Sequence, residues 1–157
     1  MELSNASLLD EGTSAAEAMT MLFSNRDREK VNNNCNKFFV ADDVFDQTLD
    51  VLMTRAEPLG IEIVKNSIDK INVDKSFFGI YVQYTGKNGQ INDLKSISKA
   101  ISNFDIKLVV AADLLSLTTL EKPSLFNCDV VVGTSQRFGI PLGYGGPHAC
   151  LLYTSPS

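Results

Sequence analysis

Gly133-Thr-Ser-Gln-Arg-Phe-Gly-Ile-Pro-Leu-Gly-Tyr-Gly-Gly-Pro-His148 is the stretch from which the fold reads outward. It follows Asp129–Val132, a short apolar run that reads as a buried strand. Glycine at this density lets backbone approach backbone or a ligand and permits positive φ, at an entropic cost. At the exit of a strand in an α/β protein, such a stretch lies where these folds build ligand sites. It reads as a site-forming loop rather than a spacer.

Upstream, apolar runs alternate with helical patterns. Lys37–Ala41, Ile61–Val64, Phe77–Gln83 and Ile106–Ala112 read as buried strands, and Ala149–Tyr153 as a last one. Ser14 and Glu17 have capping-box spacing, which predicts a helix starting near Ser14, with Ala15, Ala16, Met19, Leu22 and Phe23 on its apolar face. Asp42 or Asp43 is expected to cap a helix bearing Phe45, Leu49, Leu52 and Ala56, stopped by Pro58 and Gly60. Asn92 or Asp93 starts another, with Leu94, Ile97, Ile101 and Phe104 on one side, and Leu114–Leu120 reads as a short helix or turn. Asn66–Lys75 is a polar connection, Gly86–Gly89 a turn, and Gly79 a place where a packed helix comes close. Strands that are near-continuous apolar runs, alternating with helices, predict a mainly parallel sheet covered on both faces. Right-handed crossovers then bring Asp113 and the Gly133 loop to one sheet edge.

Composition narrows the partners. With 157 residues, 44% apolar and 21% charged, the chain has the makings of one globular domain. A net charge of −5 argues against nucleic acid, which needs clustered Lys and Arg. The apolar runs are too short to span a membrane, and no signal-peptide pattern precedes Ser4. Cys35, Cys128 and Cys150 are odd in number and widely spaced, and only one His is available, so reduced structural thiols are expected rather than a disulfide or metal site. The opening residues enter a helix signal at once, and the closing Tyr153-Thr-Ser-Pro-Ser157 caps nothing, so both ends read as cut.

Several residues invite chemistry. Gly12 and Thr13, at a helix start, form either an anion cradle or a plain capped turn, and the adjacent Asp10 and Glu11 repel phosphate and favour the latter. Asp113 either caps the N–H of Leu115 or Ser116 or pairs with a cationic ligand atom such as a pyridinium nitrogen. Asp42 and Asp43 lack a third ligand nearby, so capping is preferred to metal binding. His148 is an acid/base group or a hydrogen-bonded loop residue, and Arg137 a carboxylate clamp or a surface ion-pair partner. Ser135 has neither a His neighbour nor a nucleophile-elbow pattern, so hydrolase chemistry has little support.

These residues also carry a resemblance. Asn5-Ala-Ser-Leu-Leu-Asp-Glu-Gly-Thr13 with Ala15-Ala-Glu-Ala18, Asn33-Asn-Cys-Asn-Lys-Phe-Phe39, Thr54-Arg-Ala-Glu-Pro-Leu-Gly-Ile61 and the loop Ser135–His148 resemble the N-terminal half of the glycine decarboxylase (P-protein) family of the glycine cleavage system. The match runs from about residue 3 to 151, and the last motif is long and specific. The resemblance implies part of the large domain of the pyridoxal-phosphate aspartate-aminotransferase (type I) fold, over residues 1–151. It implies an enzyme that decarboxylates glycine and passes the aminomethyl group to the lipoyl arm of H-protein. The family has two copies of the fold, and Lys-Thr-Phe-x-Ile-Pro-x-Gly in the catalytic copy aligns with Gln136–Gly143, so Gln136 stands at the Schiff-base lysine. Asp113 then falls at the pyridinium partner, Gly12 and Thr13 near the phosphate turn, and Ser135 beside the lysine position, as a degenerate cofactor pocket. Arg137, Gly143, Tyr144, Gly145, Gly146 and His148 form an interface or site loop.

The implied partners are a lysine-bearing C-terminal half, fused or separate, and H-protein, in a dimer of halves or a heterotetramer, in the cytoplasm or, for a eukaryotic source, in mitochondria. Residues 152–157 depart from the family pattern and are expected to be a non-family tail. The competing reading is a stand-alone α/β phosphate-binding or regulatory domain without catalysis.

Overall fold

The computed structural model describes residues 3–4, 8–139, 141, 143 and 150–154. In chain order these form β1 (Leu3–Ser4), α1 (Glu11–Ser24), α2 (Arg28–Asn32), β2 (Lys37–Ala41), α3 (Asp46–Ala56), β3 (Glu62–Asn66), β4 (Phe77–Gln83), α4 (Leu94–Ile101), β5 (Lys107–Asp113), β6 (Val130–Thr134) and β7 (Cys150–Thr154), with short 3-10 turns between. The strands make one sheet in the order β1-β7-β6-β5-β4-β2-β3. From β6 to β3 every pairing is parallel, whereas β7 runs antiparallel to β6, and β1 to β7. The parallel block is therefore as expected, with an antiparallel edge added. β7 crosses the 151/152 boundary drawn from the sequence.

All seven residues of β4 are buried, so both faces of the central sheet are covered. This is why β4 and β5 read as unbroken apolar runs. α1 packs against α3 and against β4, β5, β6 and β7. Its small residues Ala15, Ala16 and Ala18 allow that close approach, and Met19 fills the remainder. On α4 the buried residues are Leu94, Ile97 and Ile101, one stripe at helical spacing. Among the described residues no helix is long and apolar enough to cross a membrane. Cys35, Cys128 and Cys150 are all buried.

Several local expectations are corrected. α1 begins three residues before Ser14: Asp10 is the N-cap, its Oδ1 accepting the Thr13 N–H at 2.6 Å. Ser14 is interior, its hydroxyl donating back to the Asp10 carbonyl, and Glu17 pairs with Arg55 instead of closing a capping box. Neither Asp42 nor Asp43 caps α3, whose N-cap is Phe45 without a side-chain bond. Asp43 is buried instead. Its Oδ2 accepts from Gln90 Nε2 at 2.9 Å and Asn92 Nδ2 at 2.6 Å, and its carbonyl accepts the Lys87 N–H. It thereby ties the loop after β4 to the turn after β2. Nearest to Gly79 is the ring of Phe38, with Cε2 2.7 Å from where a Cβ would stand. The second strand is shifted to Glu62–Asn66, the Asn66–Lys75 connection contains a 3-10 turn at Ile68–Lys70, and α2 was not foreseen. Helix α4 is capped by Asp93, one of the two residues expected.

Candidate functional site

A cavity of about 680 Å³ opens at the carboxyl ends of β4, β5 and β6. This is where a parallel sheet leaves room between diverging loops. Register explains which side chains reach it. Gln83 pairs with Ala111 and Ala111 with Val132, while Asp113 and Thr134 pair two residues further along. Partners in a parallel pair share a face and the side-chain period is two, so these residues line one face. That face lies beneath α1, which contributes Glu11 from its first turn. Tyr81 lies deeper on the same face, its phenol pushed far up by burial and secondarily by the Glu11 charge.

Asp113 takes the capping role, one of the two that the sequence left open, and adds an ion pair within the chain. One carboxylate oxygen accepts the Leu115 N–H at 3.0 Å, and the other lies 3.0 Å from Arg137 Nη1. Its backbone carbonyl accepts the Ser116 hydroxyl. The cation facing Asp113 is thus a side chain of the Gly-rich loop. After β6 that loop turns through a 3-10 segment, Gln136–Phe138, with the Gln136 N–H donating to Thr134 Oγ1 at 3.1 Å. Gly139, at φ +96°, ends the segment in the left-handed region that glycine tolerates.

The structure brings Asp113, Gln136 and Arg137 together around the cavity and leaves other candidates outside it. The Thr13 N–H is engaged by Asp10, and Gly12 faces α3, where an added Cβ would come 3.0 Å from Val51 Cγ2. Ser135 is half-buried and lies outside the lining, as does the exposed Gly143. Tyr144, Gly145, Gly146 and His148 lie outside the described residues.

Sequence reasoning missed Tyr81, Gln83, Thr85, Lys87 and Thr134 as lining residues. The available signal was a polar alternation, Tyr81-x-Gln83-x-Thr85, at the end of an otherwise apolar strand. Lys87 is the one lysine lining the cavity among the described residues. It comes from the β4–α4 loop, and its Nζ sits 3.1 Å from Asp46 Oδ1. Among the described residues no cluster of His, Cys, Asp and Glu could hold a metal ion.

The family model of the glycine cleavage system P-protein matches residues 1–156. Glycine dehydrogenase (decarboxylating) of Flavobacterium johnsoniae is 52% identical over 155 residues, which is 98% of this chain and 16% of that protein. Its counterpart from Christiangramia forsetii is 49% identical over 154 residues, with the same coverage. The chain therefore spans about a sixth of the length of these curated relatives. The inhibitor-bound crystal structure of glycine decarboxylase (P-protein) of the glycine cleavage system superposes with a TM-score of 0.85 at 28% identity, covering 98% of this chain and 35% of that one. CalE6, a methionine gamma lyase from Micromonospora echinospora, superposes at 0.72 with 14% identity over 99% of this chain and 40% of its own, a likeness of fold alone. The shared architecture is the pyridoxal-phosphate type I fold, present here in part.

Proposed function

Because the chain belongs to the glycine cleavage system P-protein family, we propose that it is part of the lysine-free, N-terminal half of a pyridoxal-phosphate-dependent glycine decarboxylase. In this reading residues 1–151 form part of the large domain of that half, and Gln136 stands where the working copy carries its Schiff-base lysine. The whole enzyme decarboxylates glycine and transfers the aminomethyl group to lipoyl H-protein, in the cytoplasm or, in a eukaryote, in mitochondria. The cofactor belongs to the lysine-bearing half, fused or separate. This chain shapes and buries the working site across an interface, in a dimer of halves or a heterotetramer, and is inert alone.

The observation that carries the reading is the ion pair between Asp113 and Arg137, 3.0 Å apart. A carboxylate at that position serves a pyridinium nitrogen in a cofactor-bearing copy. Here the chain supplies the cation itself. The Thr13 N–H, near the expected phosphate turn, is likewise taken by the Asp10 carboxylate. An amide at residue 136 cannot form an imine. These residues do not fit covalently held pyridoxal phosphate.

The test is reduction with borohydride after incubation with pyridoxal phosphate. No specific lysine adduct is expected, and a stoichiometric adduct at one lysine refutes the reading. Mixing with the lysine-bearing half should be required for glycine-dependent bicarbonate exchange. Exchange by that half alone, unaltered by this chain, refutes the partner role.

A further inference from the structure

The cavity holds two polar atoms apart from the Asp113–Arg137 pair. Gln83 is 9% exposed, and its Oε1 has no hydrogen-bond partner among the described residues. Thr85, two residues further along the chain, has a buried Oγ1 in the same condition. Both residues line the cavity at the carboxyl edge of the sheet. Buried side-chain acceptors are nearly always paired, and two at neighbouring positions of one cavity wall point to a ligand that donates.

The charges around them specify the rest of that ligand. Glu11 and Asp113 bring negative charge to the cavity, and Lys87 and Arg137 bring positive charge. The two cations sit in half-exposed ion pairs, Arg137 at 68% against Asp113 at 19% and Lys87 at 31% against Asp46 at 73%. Each cation has more N–H donors than its one carboxylate partner uses, so Arg137 can stay on Asp113 and still face a second anion. The cavity thus offers acceptors at its wall and recruitable cations at its rim. The complement is a compact molecule carrying a primary ammonium and a carboxylate.

We propose that this cavity binds a free small α-amino acid without covalent chemistry, its ammonium donating to Gln83 Oε1 and Thr85 Oγ1 and its carboxylate facing Lys87 and Arg137. The site rests on the reading that this pocket does not carry the cofactor, and gives the lysine-free half a ligand of its own. Binding there would couple amino-acid concentration to the loops that follow β4 and β6.

Titration of the purified chain with glycine or L-alanine, followed by ¹H–¹⁵N NMR of the Gln83 side-chain amide and by calorimetry, tests this. Saturable shifts are expected with the amino acids, and at most weak ones with methylammonium or acetate, which carry one end each. Gln83→Met and Thr85→Val remove the acceptors at nearly constant volume. Each should weaken binding at least about tenfold, the loss of a hydrogen bond to a charged group, while circular dichroism stays unchanged. No saturable shift with either amino acid, or binding by both variants as tight as the parent's, overturns the proposal. The borohydride experiment reads the cofactor question at a different atom, so the two failures are distinguishable.

Discussion

Replacing Gly79 by alanine tests the register on which the site depends. Gly79 pairs with Phe38 on β2, and a Cβ there would stand 2.7 Å from Phe38 Cε2, 3.0 Å from Cδ2 and 3.4 Å from the Lys107 carbonyl. The ring has no free direction. Phe38 is fully buried and stacks on Phe78 at 5.1 Å between centroids, and Phe78 meets the edge of Phe23 at 5.3 Å. Overpacking a core of this kind costs about 1–3 kcal/mol. Alanine's smaller unfolded-state entropy offsets about 0.5–1 kcal/mol of that. A contact under 3.0 Å on a fully buried ring puts the cost in the upper part of that range, about 2–3 kcal/mol, so the net loss is about 1–2.5 kcal/mol, which for a domain of this size lowers Tm by about 2–10 °C.

Phe38→Leu alone should cost about 1–3 kcal/mol by leaving space. The two together should cost less than their sum, with a coupling of at least about 1 kcal/mol, because the shorter side chain makes room for the methyl group. Urea and thermal unfolding of the four chains, followed by circular dichroism, measure the cycle. If Gly79→Ala is as stable as the parent, or the effects add within about 0.5 kcal/mol, Phe38 does not lie over Gly79. The β2–β4 register would then be wrong. A slip of one residue would also turn Gln83 away from the cavity.

Asp10, Cys128 and Asp105 carry the further expected outcomes. Asp10→Ala should cost about 1 kcal/mol in urea unfolding through loss of the α1 cap, and Asp10→Asn only a few tenths; equal losses would show that charge matters and the cap does not. Burial, with the Asp129 charge second, pushes the Cys128 thiol up to about 12 from 9.0. Its thiolate near neutral pH is therefore scarcer by roughly 10³, and since a more basic thiolate is the better nucleophile, Cys128 should react with a disulfide reagent at least about tenfold more slowly in the folded chain than in denaturant. The same burial contributes stability below pH 9 that is lost as pH rises toward 12, so Cys128→Val should flatten the alkaline limb. The Asp105 carboxyl is held below its ordinary 3.8, first by the hydrogen bond from Lys30 and then by the Lys107 charge, against some desolvation. Its contribution is present above that value and lost as pH falls through the lower folded one, so Asp105→Asn should lose less stability on acidification than the parent.

Much of the fold was legible because its signals are local. An apolar run such as Phe77–Gln83, or the stripe Leu94, Ile97 and Ile101, declares its element through periodicity confined to one segment. Proline and glycine after Ala56 stop α3 for reasons contained in those residues. The misreadings occur where a side chain chooses between local and distant partners. Ser14 and Asp43 both have the chemistry of caps. The first lies inside a helix that Asp10 started earlier, and the second accepts from Asn92, 49 residues away.

The chain by itself determined an α/β architecture, a mainly parallel sheet, a glycine-rich loop at the exit of β6 and a glutamine within it. All of these follow from residue type and short-range spacing. Only the tertiary structure decided that Arg137 faces Asp113, that Gln83 and Thr85 share a cavity wall, and that β7 joins β6 in the antiparallel sense. Those facts depend on register between strands far apart in sequence. Side chains on neighbouring strands meet only once the backbone hydrogen bonds have set which residue stands opposite which.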